Sequence, residues 1–151
     1  MIYIGVDPGQ KGSWAVIAES ETGQFIKAYP WDDVFFVSDM QSLSKMGGGI
    51  VAAVEKVGAM PHQGVSSMFR FGTSYGFIQG VLAACGIPYQ LVPPINWKRE
   101  FSIVQKGKMG SVDVCKRLFP DVSLFPTERC RKESDGMSDA LCLAEYARRK
   151  F

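Results

Sequence analysis

Histidine occurs once, at position 62, and the four cysteines (Cys85, Cys115, Cys130, Cys142) show no C-x-x-C spacing. A His/Cys zinc site therefore has no ligand set, and the cysteines read as reduced thiols, mostly in the core. A long apolar run is lacking too. The most apolar stretch, Gly76 to Ile95, carries Gln79, Gln90 and three prolines, which argues against a membrane span. The amino terminus enters a strand pattern directly, without a basic region followed by an apolar one, so no signal peptide is expected and the chain reads as cytoplasmic. Charge of one sign is also scarce: a net +2 over 151 residues permits a polyanionic partner without demanding one. With 46% hydrophobic and 21% charged residues, residues 1–151 are expected to form a single domain with one sizeable core.

Against these absences, residues 2–12 (Ile-Tyr-Ile-Gly-Val-Asp-Pro-Gly-Gln-Lys-Gly) stand out. Ile2, Tyr3, Ile4 and Val6 suit a buried strand, and Pro8, Gly9 and Gly12 force a turn directly after Asp7. A carboxylate thus ends a central strand, where an ion or a phosphate can approach it or where it simply caps the turn. Ser13 to Glu19 and Gln24 to Pro30 read as two more strands joined by a turn at Glu21-Thr22-Gly23, giving an antiparallel meander of three. Within Val34 to Met46 the apolar spacing fits a short helix while Phe35, Phe36 and Val37 favour strand, so a helix is expected from about Ser38. Gly47-Gly48-Gly49 ends it. Ile50 to Val57 is an apolar strand buried on both faces, with Glu55 near its far end. Glu55 is costly to bury alone; it is either part of a site or an edge residue paired with a cation.

Ser66 to Cys85 has a helical pattern closed by Gly86, with Gly72, Gly76 and Gly80 recurring every fourth residue. Each glycine costs roughly 1 kcal/mol against alanine in a helix, so the stripe needs a close backbone approach, by the sheet or by a second subunit. Phe69 and Phe71 are expected on apolar contacts, with Arg70 solvated. Ile87 to Val92 reads as a fifth strand and Ile95 to Glu100 as a short helix. Lys98, Arg99, Lys106, Lys108 and Lys116 form the clearest basic segment, suited to phosphate contacts or to a solvated helix entry. Ser111 to Phe119 is a helix, and Arg129, Arg131 and Lys132 lie in a second charged loop.

The last helix runs from about Gly136 to Lys150, with Met137, Ala140, Leu141, Ala144 and Ala147 forming an inward face and Asp135 as its N-cap. Asp139 lies beside that inward face, and side chains four apart on a helix are neighbours, so Asp135 and Asp139 can converge on one ligand. Helix-dipole preference accounts for Asp135 but poorly for Asp139. Four acids, Asp7, Glu55, Asp135 and Asp139, are then candidates for one site. Converging carboxylates repel unless protonated or held by cations, and hard oxygen donors of this number suit Mg²⁺ or Mn²⁺. Two such ions per site would run phosphodiester hydrolysis with no side-chain nucleophile and no nucleotide cofactor.

Gly-Val-Asp-Pro-Gly at 5–9, Val-Glu-Lys-Val at 54–57, Phe-Gly-Thr-Ser-Tyr-Gly at 71–76 and Asp-Gly-Met-Ser-Asp-Ala at 135–140 resemble, in order, the motifs of RuvC-type Holliday-junction resolvases, especially the short forms of phages. The resemblance implies an α/β, RNase H-like fold with a five-stranded mixed sheet, three strands antiparallel and two parallel, and helices on both faces. It also implies a homodimer cutting four-way DNA junctions with paired symmetric nicks, in the cytoplasm of a bacterial host if phage-encoded. Asp7, Glu55 and Asp139 match the family's metal-binding carboxylates. Asp135 departs, being four residues from Asp139 where bacterial members often have three. Lys98, Lys106 and Lys108 fall in the family's DNA-contacting region, and the glycine-striped helix matches one near the family's dimer interface. Where the family has an aromatic three residues beyond the glutamate, this chain has Gly58, so Met60 or His62 would contact DNA instead, or selectivity is broader. Three rivals stay open: a flap or branched-DNA nuclease of the same mechanism, a DNA-binding scaffold on the same fold, and an ATP-binding phosphotransferase suggested by the Asp-Pro-Gly turn, for which the chain is short.

Overall fold

The computed structural model describes residues 1–9, 12–59 and 61–151. Strand β1 (Ile2–Asp7) lies at the centre of a five-stranded sheet with β2 (Ser13–Ser20), β3 (Gly23–Pro30), β4 (Ile50–Glu55) and β5 (Tyr89–Val92), in the order β3-β2-β1-β4-β5. The β1/β2 and β2/β3 pairs are antiparallel, and β1/β4 and β4/β5 are parallel. This is the mixed sheet that the resemblance implies, and its antiparallel half is the meander expected from the strand pattern. The parallel register sets Val6 opposite Val54, so Asp7 and Glu55 leave the sheet at the same edge. Both parallel connections travel through helices: α1 (Asp33–Ser44) between β3 and β4, and α2 (Val65–Ala84) between β4 and β5.

Alternation along β1 divides the core in two. Ile2, Ile4 and Val6 join Trp14, Val16, Phe36, Met40, Ile78 and Leu82 on the α1/α2 face. The opposite face carries Ala15, Ile17 and Ala53 against Trp97 of α3 (Pro94–Glu100), Val112 and Cys115 of α4 (Gly110–Leu118), and the inward row of α5 (Asp135–Lys150). Asp7 belongs to that second face by the same alternation. All five residues assigned to the inner face of α5, from Met137 to Ala147, are buried. Gly5 lets this helix settle on the strand: a Cβ there would stand 1.9 Å from the Ala140 carbonyl oxygen and 2.3 Å from the Ala144 nitrogen. No side chain fits.

Several expectations need correction. Helix α1 starts at Asp33, not near Ser38, because Asp32 caps it, its Oδ1 accepting the Phe35 N–H at 2.8 Å. Burial of Phe36 and Met40 one turn apart then overrides the local strand preference of Phe35, Phe36 and Val37. The cap of α5 is Ser134, whose Oγ accepts from the Met137 N–H, so Asp135 is the first helical residue. Strand β4 ends at Glu55, two residues before Val57, and β5 begins at Tyr89, directly after Pro88, which has no N–H to give the ladder. Phe69 is 76% exposed rather than on an apolar contact. The glycine stripe of α2 does not meet the sheet: among the described residues, nothing lies within 4 Å of a Cβ built at Gly72, Gly76 or Gly80. The cysteines are unpaired, with Cys115 and Cys142 buried, Cys85 half-buried and Cys130 exposed. Among the described residues no helix is long and apolar enough to cross a membrane.

Candidate active site

Asp7 stands at the end of β1, where the chain turns away and the strand ladder leaves its carboxylate on the α5 face. The Gly9 N–H fixes its Oδ1 at 3.1 Å. That bond lowers the proton affinity of the carboxyl, but burial, then Glu55 and Asp139, and more weakly Asp135, outweigh it and push the pKa from 3.8 to about 7. Glu55 ends the neighbouring parallel strand. Its carboxyl is raised by burial and drawn back by the indole N–H of Trp97, which donates to Oε2 at 2.8 Å, and by the nearby Lys98 ammonium. Trp97 is wholly buried, so this donor has a single fixed direction.

Asp139 projects from the first turns of α5. Its pKa is pushed up to about 6, first by burial, with Glu55 and Asp135 adding to it while the Ser111 hydroxyl and Lys98 pull it down. Asp135, one helical turn earlier, faces Lys108 at 4.0 Å, an exposed pair worth little in itself. Asp7, Asp135 and Asp139 line one hollow of about 720 Å³ together with Lys108, Met109, Pro126, Lys132 and Glu133. A second hollow of about 330 Å³ shares Lys108, Asp135 and Asp139 with the first and is closed by Trp97, Lys98 and Ser111. Glu55 lies behind these surfaces, tied to Trp97 and close enough to both buried aspartates to raise them.

The structure therefore brings the four acids to one end of the sheet, joined by Lys98 and Lys108. Lys106 is not part of that group. It is exposed and shares a separate hollow with Arg99 and Ser102. His62 is exposed in the loop after β4 with a left-handed backbone (φ 67°), and it lines neither carboxylate hollow. Met60 lies outside the described residues. Three contributors escaped the sequence reading: the Trp97 donor to Glu55, the Ser111 hydroxyl beside Asp139, and Lys132 in the first hollow. The first joins residues 42 apart in the chain, and no local pattern announces it.

The donor chemistry fits a divalent cation: two carboxyls whose proton affinity is raised by mutual repulsion and burial gain most from a positive ion between them. The side chains stand more open than a finished ligand shell. Among the described residues, no three His, Cys, Asp or Glu groups are close enough to hold an ion as they stand.

No family model matches the chain, and a search of curated protein sequences gives no match. Solved structures do match in shape. RuvC of Thermus thermophilus is 16% identical, with 95% of this chain and 91% of that one aligned at a TM-score of 0.60. The T. thermophilus RuvC in complex with a Holliday junction substrate gives 15% identity, coverage of 99% and 97%, and a TM-score of 0.62. The yeast mitochondrial Holliday junction resolvase gives 15%, 93% and 76%, and 0.50. Likeness at this identity is likeness of fold, and the fold is RuvC-type and RNase H-like.

Proposed function

We propose that this chain is a divalent-metal-dependent endonuclease for branched DNA, resolving four-way junctions by paired symmetric nicks as a homodimer, with residues 1–151 forming one nuclease domain. The observation that carries this reading is the set of four carboxylates, Asp7, Glu55, Asp135 and Asp139, at one sheet end, two of them held near neutral pKa in a lysine-walled hollow. The RuvC-type fold supports it, since one structure of that fold was solved on a Holliday junction substrate.

Asp7, Glu55, Asp139 and Asp135 are the residues that would hold Mg²⁺ or Mn²⁺, two ions per site. Such ions, when bound, supply charge neutralisation at the scissile phosphate and a more acidic attacking water. The chain's own groups do the positioning. The Gly9 N–H and the Trp97 indole fix one oxygen each on Asp7 and Glu55, which spares those carboxylates an entropic cost at the moment of binding. Lys98 and Lys108 place positive charge beside the acids, where a phosphate backbone must pass.

Dimerisation is supported by the outward face of α2, where the bare stripe of Gly72, Gly76 and Gly80 adjoins exposed Val65, Phe69 and Phe77. A second copy laid on that face would give the glycines the close approach that their cost in a helix requires. A broader flap or fork specificity is the second reading, favoured by Gly58: where an aromatic would reach a junction centre, this position offers no side chain.

Cleavage of a synthetic four-way junction beside duplex, flap and single-strand substrates, in Mg²⁺ and in EDTA, tests the reading. Paired symmetric nicks on the junction alone, lost in EDTA, are the expected result. Equal cutting of flaps would move the assignment to general debranching. Binding without cutting would leave a scaffold.

A further inference from the structure

The segment between α4 and α5 contains Arg129, Arg131 and Lys132, all exposed, and none of the three makes an ion pair among the described residues. It is nevertheless a placed segment. Leu124 is buried at its start, and the Ser134 N–H closes it by donating to the Leu124 carbonyl at 2.8 Å. Glu133 is ion-paired with Lys116 of α4, and inside the segment the Cys130 N–H donates to the Thr127 carbonyl at 3.1 Å. With Glu133 so neutralised, three cations stand against Glu128 alone between Leu124 and Ser134. Lys132 and Pro126 line the same hollow as Asp7, Asp135 and Asp139, and Lys108 lines it too.

We propose that residues 124–134 form the second wall of a polynucleotide groove: Lys132, with Lys108, contacts the backbone beside the scissile phosphate, and Arg129 and Arg131 carry the positive track outward. The idea rests on the nuclease reading and adds to it a surface outside Lys98, Lys106 and Lys108. Three features select a phosphodiester backbone as the occupant. The cations are unpaired, two are guanidinium groups suited to bidentate phosphate contact, and the wall runs along a centre built from acids, which a lone small anion would avoid. Because the loop is anchored at both ends, little ordering is needed on binding.

The test uses the full chain and a fluorescent four-way junction in Ca²⁺, with Kd measured by anisotropy from low to moderate salt. The triple variant R129S/R131S/K132S is compared with wild type and with K27S/K45S, which removes exposed cations elsewhere. The expected outcome is a salt slope shallower by about 2 to 3 and binding weaker by at least about tenfold for the loop variant, with the control like wild type. Wild-type binding with an unchanged slope in the loop variant overturns this inference and leaves the nuclease reading intact. Failure of the wild type to bind any DNA overturns both. A second measurement needs no variant. Cys130 sits exposed between the two arginines, so bound junction should slow its alkylation by iodoacetamide at least severalfold, read by mass spectrometry, while half-buried Cys85 is unaffected. Equal alkylation of Cys130 with and without saturating junction overturns the proposal.

Discussion

Replacing Asp7 with asparagine should make the metal-free protein more stable, and by an amount that grows with pH. The folded state holds the Asp7 proton up to about pH 7, whereas the unfolded chain releases it near 3.8. Between those values the folded form binds the extra proton, so raising the pH destabilises it, and the whole contribution is lost above pH 7. Three pH units at 1.36 kcal/mol each give about 4 kcal/mol as the full cost of ionising Asp7 in its buried position beside Glu55 and Asp139. Asparagine keeps the volume and the acceptor for the Gly9 N–H but carries no charge. The stability difference should therefore be about 0.5 kcal/mol at pH 4, about 1.5 kcal/mol at pH 5 and about 4 kcal/mol at pH 8. In a chain of this size the gap in Tm should widen by roughly 5–10 °C from pH 5 to pH 8. Thermal unfolding in EDTA reads this directly. Adding Mg²⁺ should raise the wild-type Tm and narrow the gap, because an ion that binds only the folded wild type stabilises it alone. A gap that stays constant or shrinks with rising pH in EDTA would mean that the folded protein does not hold Asp7 protonated.

Other consequences follow from single contacts. G5A drives a Cβ into the backbone of α5, so about 1–3 kcal/mol of stability should be lost and Mn²⁺ affinity should fall as Asp139 is displaced from Asp7; thermal unfolding and calorimetry together check both effects. W97F removes the donor to Glu55 and leaves a small cavity where the larger indole was buried, so it should weaken Mn²⁺ binding about tenfold while costing about 1–3 kcal/mol of stability; unchanged metal affinity would reduce Trp97 to a core residue. Lys108 faces the acids and Lys106 does not, so K108A should lower the cleavage rate of bound junction more than K106A does, although each should reduce the salt slope of binding by about one. Equal rates for the two variants would mean that the carboxylate hollow is not where the backbone passes.

The sheet was legible because its strands carry dense apolar runs bounded by Pro-Gly and Gly-Gly-Gly breaks, and the acids at the ends of β1 and β4 stood out against that background. Asp139 was legible because it interrupts an otherwise regular inward face. Boundaries fared worse wherever two good signals sat side by side. Ser134 and Asp135 are both favourable caps, and only the Ser134 hydroxyl reaches the Met137 N–H. At α1, the Asp32 cap outweighed three β-prone residues. What the sequence could not show was tertiary: which lysines turn toward the acids, that Trp97 holds Glu55, and that the glycines of α2 face open space while Gly5 receives the backbone of α5.

If the carboxylates are the catalytic centre, wild type and D7N should differ in cleavage but not in binding when both are measured on a four-way junction with the same preparation. D7N should bind as tightly as wild type or slightly tighter and cut nothing in Mg²⁺, while wild type makes symmetric nicks that vanish in EDTA. Mg²⁺-dependent cutting by D7N at a rate near that of wild type would contradict that assignment.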